Sequence, residues 1–277
     1  MRCYRYLNYK YGIRSILESA FKVASPDEFN DPFDCLGNVY GTPSRQSLRN
    51  FAATLKRAPS VTIEQTIDWL QRDFDLKFAA SIHDRKRIGE LYRILCFSNV
   101  DIADANSETL MWAHYADKGS GVRVLLELSA DELPSGCVIE SVEYAPDGCV
   151  PLLSLATISD FPMCPEIANF YAKCITTKGK SWDYEKEVRL VVGPDALKNL
   201  LRVESCGKKV ELLQLPRSVI KGVDFGYKVS ERRVRAAIEK LNATGCRLTY
   251  RWAKFSGEKY EYDYWRWNPN GRWMAES

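Results

Sequence analysis

The hydrophobic period of this chain changes near residue 94, and that change constrains the fold more than any other feature. Between residues 44 and 93 the apolar side chains recur at helical spacing. Ile63, Ile67, Leu70, Phe74 and Leu76 make one stripe, with Ser44 and Thr62 standing where N-caps belong. From residue 94 the period drops to two or gives way to continuous apolar runs, so 94–98, 122–128 and 138–144 read as strands. Residues 162–174 look helical, and 188–192, 210–213 and 219–225 return to strand. Residues 229–241 read as a helix and 247–252 as a strand. Ahead of all these lie a short strand at 3–7, a helix at 11–18 and a strand at 21–24. A helical block set into a run of strands predicts an α+β fold with an antiparallel or mixed sheet and a helical insertion at about 44–93. No internal repeat or low-complexity linker divides the chain, so residues 1–242 are expected to form one domain. Residues 243–277 are expected to form an aromatic, basic extension packed on it.

Composition narrows the function classes. At 277 residues and 45% apolar, the chain can bury a substantial core, and 27% charged residues is ordinary for a globular protein. A net charge of +3 gives no bulk argument for nucleic acid, although a local basic patch is compatible with it. No apolar run approaches the roughly 18 residues that span a bilayer, and the N-terminus lacks an apolar signal core. A cytoplasmic protein with no membrane partner is expected. The nine cysteines stand singly, with no CxxC pair to seed a zinc site, and read as reduced thiols. The two histidines, His83 and His114, are too few for a histidine-rich metal centre. Phosphate loops of the GxxxxGK[ST] and GxGxxG types are missing, as are the GxSxG elbow and the HExxH helix. Kinase, dehydrogenase, serine hydrolase and zinc peptidase readings are therefore poor.

The richest segment is Trp182-Asp183-Tyr184-Glu185-Lys186-Glu187-Val188-Arg189. On a strand, Glu185, Glu187 and Arg189 point to one face, which is either a solvated salt-bridge ladder or a site. Trp182 and Tyr184 favour a site, because apolar walls raise a carboxylate's pKa and aromatic rings stack on planar ligands. The segment from Thr109 to Gly121 reads as a helix carrying Trp112, His114 and Tyr115, followed by a Gly-rich turn. It is either a core aromatic cluster or a ring-lined cleft shared with Glu187. Phe29-Asn30-Asp31-Pro32-Phe33-Asp34 fits a structural turn, anchored by its two phenylalanines. Arg5, between Tyr4 and Tyr6 on the first strand, is a surface arginine or an anion-binding residue in a cleft. In the tail, Phe255, Tyr260, Tyr262, Tyr264, Trp265, Trp267 and Trp273 alternate with Lys254, Lys259, Arg266 and Arg272. That pattern suits base stacking or a hairpin packed on the main domain.

Tyr4-Arg5-Tyr6, the FNDPFD motif at 29–34, Cys96-Phe97-Ser98, the Met111–Ala116 motif MWAHYA and the segment 182–189 occur in an order that resembles the bacterial domain-of-unknown-function family 2971. The likeness runs from the N-terminus to about residue 240. That family is met in phage-defence neighbourhoods, so the resemblance implies a toxin or defence effector, with an antitoxin as a possible partner. More distantly the chain resembles the ADP-ribosyltransferase superfamily, which implies a split β-sheet core and NAD as the substrate. In that likeness Arg5 matches the early-strand position, Ser98 or Tyr115 the middle position, and Glu187 the second Glu of an ExE pair formed with Glu185. NAD would then be held by Tyr4, Arg5, Tyr6, Ser98, Trp112, His114 and Tyr115, with Glu187 and Glu185 catalytic and no metal required.

The chemistry is consistent with that implication. Cleaving the nicotinamide–ribose bond builds positive charge on the ribose, which a neighbouring carboxylate stabilises. Glu187 would meet the ribose, while Glu185 prepares an acceptor, either nucleic acid (RNA favoured) or protein. Two rival readings stay open. One is a metal-dependent abortive-infection nuclease using Asp31, Asp34, Glu185 and Glu187 as magnesium ligands. The other is a non-catalytic RNA-binding module built on the tail.

Overall fold

The computed structural model of the chain describes residues 1–41, 43–56, 58–73, 85–99, 105–145, 148–154, 165–205 and 207–276. The fold is α+β with a mixed sheet, and the chain divides into two compact units. The first takes Met1–Ala24, Arg93–Ser141 and Asp183–Ser277, and the second Ser25–Tyr92 and Val142–Trp182. Among the described residues no helix is long and apolar enough to cross a membrane.

In the first unit the elements run in chain order as β1 (Arg2–Leu7), α1 (Tyr9–Glu18), β2 (Ala20–Lys22), β3 (Arg93–Ser98), α2 (Ala105–Tyr115), β4 (Val122–Glu127), β5 (Cys137–Ser141), β6 (Glu187–Val192), β7 (Leu201–Ser205), β8 (Lys208–Gln214), β9 (Ile220–Phe225), α3 (Glu231–Asn242), β10 (Thr249–Phe255), β11 (Tyr262–Trp267) and β12 (Trp273–Ala275). Nine strands join in the order β12-β11-β10-β9-β4-β1-β3-β6-β5. Every pairing is antiparallel except β9 with β10, which lie parallel because α3 carries the chain back between them. A second sheet, β7-β8-β2, is antiparallel throughout.

The period-two pattern of the strands decides the layering. Cys3 on β1, Val122, Val124 and Leu126 on β4, and Val188, Leu190 and Val192 on β6 turn to one face. There they meet Ile13 and Ile16 of α1 and Val234, Ala237, Ile238 and Leu241 of α3. Tyr4, Tyr6 and Leu125 turn to the other face, against Met111 and Trp112 of α2 and Tyr264 of β11. Helix α1 starts where the Asn8 side chain accepts the Tyr11 N–H at 2.9 Å, and it ends at Ser19 in a left-handed cap. Gly12 lets this helix lie close on the sheet, since a Cβ there would stand 2.1 Å from Val122 Cγ2.

The structure adds to or departs from the sequence reading at three places in this unit. The predicted strand at 138–144 is broken at Val142, so that Cys137–Ser141 pairs with β6 while Glu143–Ala145 belongs to the second unit. Residues 201–205, not read as a strand, pair along the whole of β8. Residues 243–277, expected as an extension packed on the main domain, supply β10, β11 and β12 of its sheet. Tyr264 is buried, and Trp267 and Trp273 pack on the core, whereas Phe255, Tyr260 and Trp265 remain exposed.

The second unit holds helices Arg45–Thr54, Ile63–Asp73, Arg85–Leu91 and Pro165–Thr176, with two short parallel strand pairs, 38–40 with 152–154 and 143–145 with 177–179. The helical block expected at 44–93 therefore falls here, together with residues 142–182. Phe74, Leu76, His83 and residues 162–164 lie outside the described residues. In the FNDPFD motif, Asp31 Oδ1 accepts the Phe33 N–H at 2.9 Å, and the Asp31 carbonyl accepts from Arg85 Nη1 at 2.7 Å. Asp34 pairs with Lys178 at 3.6 Å. Phe33 does not anchor the turn as expected; its side chain is 67% exposed.

Candidate active site

The residues singled out around position 185 do not lie on one strand. Lys180–Glu185 coil into 3-10 turns, and β6 begins only at Glu187. Lys186 between them has φ +45°, a left-handed conformation uncommon for a side chain other than glycine. Its carbonyl accepts the Asn99 N–H at 2.9 Å, which ties the turn to the end of β3. The expected alternation of Glu185, Glu187 and Arg189 on one strand face thus holds only for Glu187 and Arg189. The left-handed residue brings Glu185 inward by a different route, and both glutamates are buried, at 4% and 5% exposure.

Each carboxylate has its own partner. Arg189 Nε and Nη2 donate to Glu187 Oε1 and Oε2 at 2.9 and 3.0 Å, a two-pronged pair with the guanidinium fully buried. The Cys96 thiol, directly across from Arg189 on β3, is also hydrogen-bonded to Glu187. Burial, then the Glu187 charge, push its pKa well up, so the thiol stays protonated and is no nucleophile. Glu185 accepts a hydrogen bond from the Tyr115 hydroxyl. The Glu185 carbonyl accepts from Ser98 Oγ at 2.6 Å.

Register explains why these groups meet. Leu125, Tyr4, Ser98 and Glu187 are successive partners across β4, β1, β3 and β6, so their side chains share one face. Tyr115 comes from the last turn of α2, which covers that face. His114 is exposed, its ring 6.2 Å from Tyr115 and 6.3 Å from Tyr184.

Trp112 is not with them. It is fully buried one turn earlier, edge-on to Tyr6 at 5.3 Å, and donates Nε1–H to the Tyr264 hydroxyl at 3.2 Å. Its expected place in a ligand cleft is therefore corrected to a place in the core. Arg5, expected beside Ser98 and Glu187, does not share their face. It follows Tyr4 and so turns to the opposite face, where Nη1 donates to the Cys96 carbonyl and Nη2 to the Lys22 carbonyl at 3.4 Å. Trp182 belongs to the second unit, with Lys178 Nζ 4.9 Å from its ring centre.

The sequence reading missed a polar network beside this site. Arg123, fully buried, is held between Asp224 and Glu108, with Nε 2.7 Å from Asp224 Oδ2. Arg251 donates to the same aspartate at 2.7 and 2.8 Å, and the Tyr264 hydroxyl donates to Glu108 at 2.6 Å. Tyr4 and Tyr6 belong here: the Arg123 guanidinium lies 4.5 Å from the Tyr4 ring centre and donates to the Tyr6 hydroxyl at 3.1 Å. The signal was present, since Arg123 is a charged residue at an inward position of an apolar strand.

No family model, curated protein or solved structure matches this chain. Its chemistry is therefore read from the side chains themselves. A carboxylate locked by a buried arginine is a fixed negative charge, suited to stabilising a cation and unsuited to taking a proton. The second carboxylate, Glu185, is likewise buried and accepts a hydrogen bond from a tyrosine hydroxyl. Among the described residues no three His, Cys, Asp or Glu side chains gather as a metal site. Asp31 and Asp34, the other acids of the nuclease reading, belong to the second unit.

Proposed function

We propose that the protein is an ADP-ribosyltransferase that cleaves the nicotinamide–ribose bond of NAD and transfers the ADP-ribosyl group to nucleic acid, with RNA favoured, or to protein. The observation that supports this reading is that two neighbouring buried glutamates have different partners, an arginine for Glu187 and a tyrosine for Glu185. Glu187, clamped by Arg189, supplies the fixed charge that an oxocarbenium-like ribose needs. Glu185, hydrogen-bonded by Tyr115, is the group that prepares the acceptor. His114 and Tyr184 offer rings near Glu185 on which a planar group can stack. The split-sheet transferase fold and a role as a phage-defence toxin with a partner antitoxin belong to the same proposal, and the motif resemblances support them.

The test is NAD consumption by the purified protein. Glu187→Gln removes the charge and keeps the shape, and loss of one transition-state contact of this kind lowers the rate about 100-fold or more. Glu185→Gln should impair transfer more than NAD hydrolysis. A folded Glu187→Gln protein that consumes NAD at the wild-type rate sinks the proposal.

A further inference from the structure

The β7-β8-β2 sheet has two apolar faces where one would be expected. Phe21 of β2 and Leu213 of β8 point into the main core. Val203 and Val210 are direct partners on the opposite face, with Leu212 two residues along the same strand. A sheet with one face on the core normally presents polar residues on the other. Here Val203, Val210 and Leu212 remain only half-buried, and with Leu7 they line a cavity of about 440 Å³ beside α1.

The cavity carries cationic groups. Arg5 reaches it from β1, and Lys22 and Lys208 line it from β2 and β8. Among the described residues the one acid on its lining, Glu18, is paired with Arg14 at 2.8 Å. The Arg5 fork is half used: Nη1 and Nη2 bind backbone carbonyls, while Nε is buried without a hydrogen-bond partner among the described residues. Nε is closed to solvent, so an anionic head would meet the guanidinium at its solvent-facing Nη2, whose charge the unpaired Nε–H leaves incompletely compensated. Burial also pulls the Arg5 pKa down, a penalty that a bound anion offsets.

We propose that this cavity binds a small organic anion with an apolar body, its carboxylate or phosphate head at Arg5 and its hydrocarbon on Val203, Val210 and Leu212. The volume lies at the low end for small-molecule pockets, roughly 300–1,000 Å³, which suits a medium-length acyl or compact aromatic anion. The cavity lies on the sheet face opposite Glu187 and takes no residue from the glutamate site, so it stands whether or not the glutamates act on NAD, although the Glu187 charge reaches Arg5 through the sheet.

Thermal unfolding of the full chain with four probes tests this: decanoate, decyl phosphate, decanol and acetate. Decanoate, decyl phosphate or both should raise Tm by roughly 5–10 °C at a hundredfold excess over Kd. Which head works better identifies the anion class. Decanol and acetate, each lacking one half of the recognised chemistry, should shift Tm by less than a fifth as much. Because Arg5 also clamps the backbone, the blocking variant is Val210→Trp, which fills the cavity and leaves Arg5 intact. It should abolish the shift while keeping the wild-type urea midpoint, and Lys208→Glu should weaken binding several-fold. No shift with either long-chain anion overturns the proposal. So does an equal shift with decanol, or an undiminished shift in Val210→Trp. A concentration-dependent dimer abolished by Val210→Trp, with no response to the anions, assigns the face to a second copy and overturns it too.

Discussion

Replacing Asp224 with Asn should destabilise the first unit by about 3–5 kcal/mol, the range for breaking a buried ion pair from one side. Asp224 takes Arg123 Nε on one oxygen and both Nε and Nη2 of Arg251, all at 2.7–2.8 Å. The amide keeps one acceptor and turns two N–H donors toward guanidiniums, leaving Arg123 and Arg251 adjacent with Glu108 beside the first and Glu276 beside the second as the remaining acids. With a urea dependence of about 2–3 kcal/mol/M, the midpoint should fall by roughly 1–2.5 M. The double variant Asp224→Asn/Arg251→Met removes one charge of each sign and should lose less than the sum of the single variants. The pH dependence separates the two acids. The flanking arginines hold Asp224 below the usual carboxylate range against the opposing pull of burial. Its contribution is therefore present above about pH 4 and is lost as pH falls through its folded pKa. Glu108 goes the other way, because burial raises it. Its contribution is present at low pH and is lost as pH rises through the raised value, so Glu108→Gln should cost less at pH 7 than at pH 4. Urea denaturation followed by circular dichroism at both pH values measures all of this. An Asp224→Asn midpoint within 0.3 M of wild type would refute the claim that this acid holds the arginines in place.

Tyr115→Phe leaves the Glu185 carboxylate without its hydroxyl donor and should cost about 1–3 kcal/mol, while lowering transfer to the acceptor more than NAD hydrolysis; paired urea melts and NAD assays check both. Gly12→Ala should lower stability by about 1–3 kcal/mol through the clash with Val122, and Val122→Ala in the same chain should recover part of the loss, as thermal melts would show. Ending the chain after residue 253 removes the last two residues of β10 and all of β11 and β12, and with them the Tyr264 hydroxyl bonded to Glu108 and Trp112. The product should fail to unfold cooperatively, and a sharp melting transition in it would contradict a structural role for these strands.

The elements with strong periodicity were legible, and what escaped reading has two physical causes. In β4 and β6 the apolar alternation is long enough to name the strand, its inner face and most of its length. Where a single residue redirects the chain, that pattern carries no warning. Lys186 adopts φ +45° without being glycine, so a run that reads as strand from 182 to 189 is 3-10 turns up to Glu185 and strand from Glu187. Val142 likewise ends a run that alternates well on both sides. The second cause is that a strand names its face but not the strand beside it. Arg123 and Asp224 are 101 positions apart, and only the pairing of β4 with β9 makes them partners. The same holds for the site. Tyr4, Ser98 and Glu187 were each visible as polar or aromatic residues in apolar strands, but register puts them in one row and leaves Arg5 on the other side. An arginine one residue from a site tyrosine is thus excluded from that face by parity, and the same parity gives it a cavity of its own.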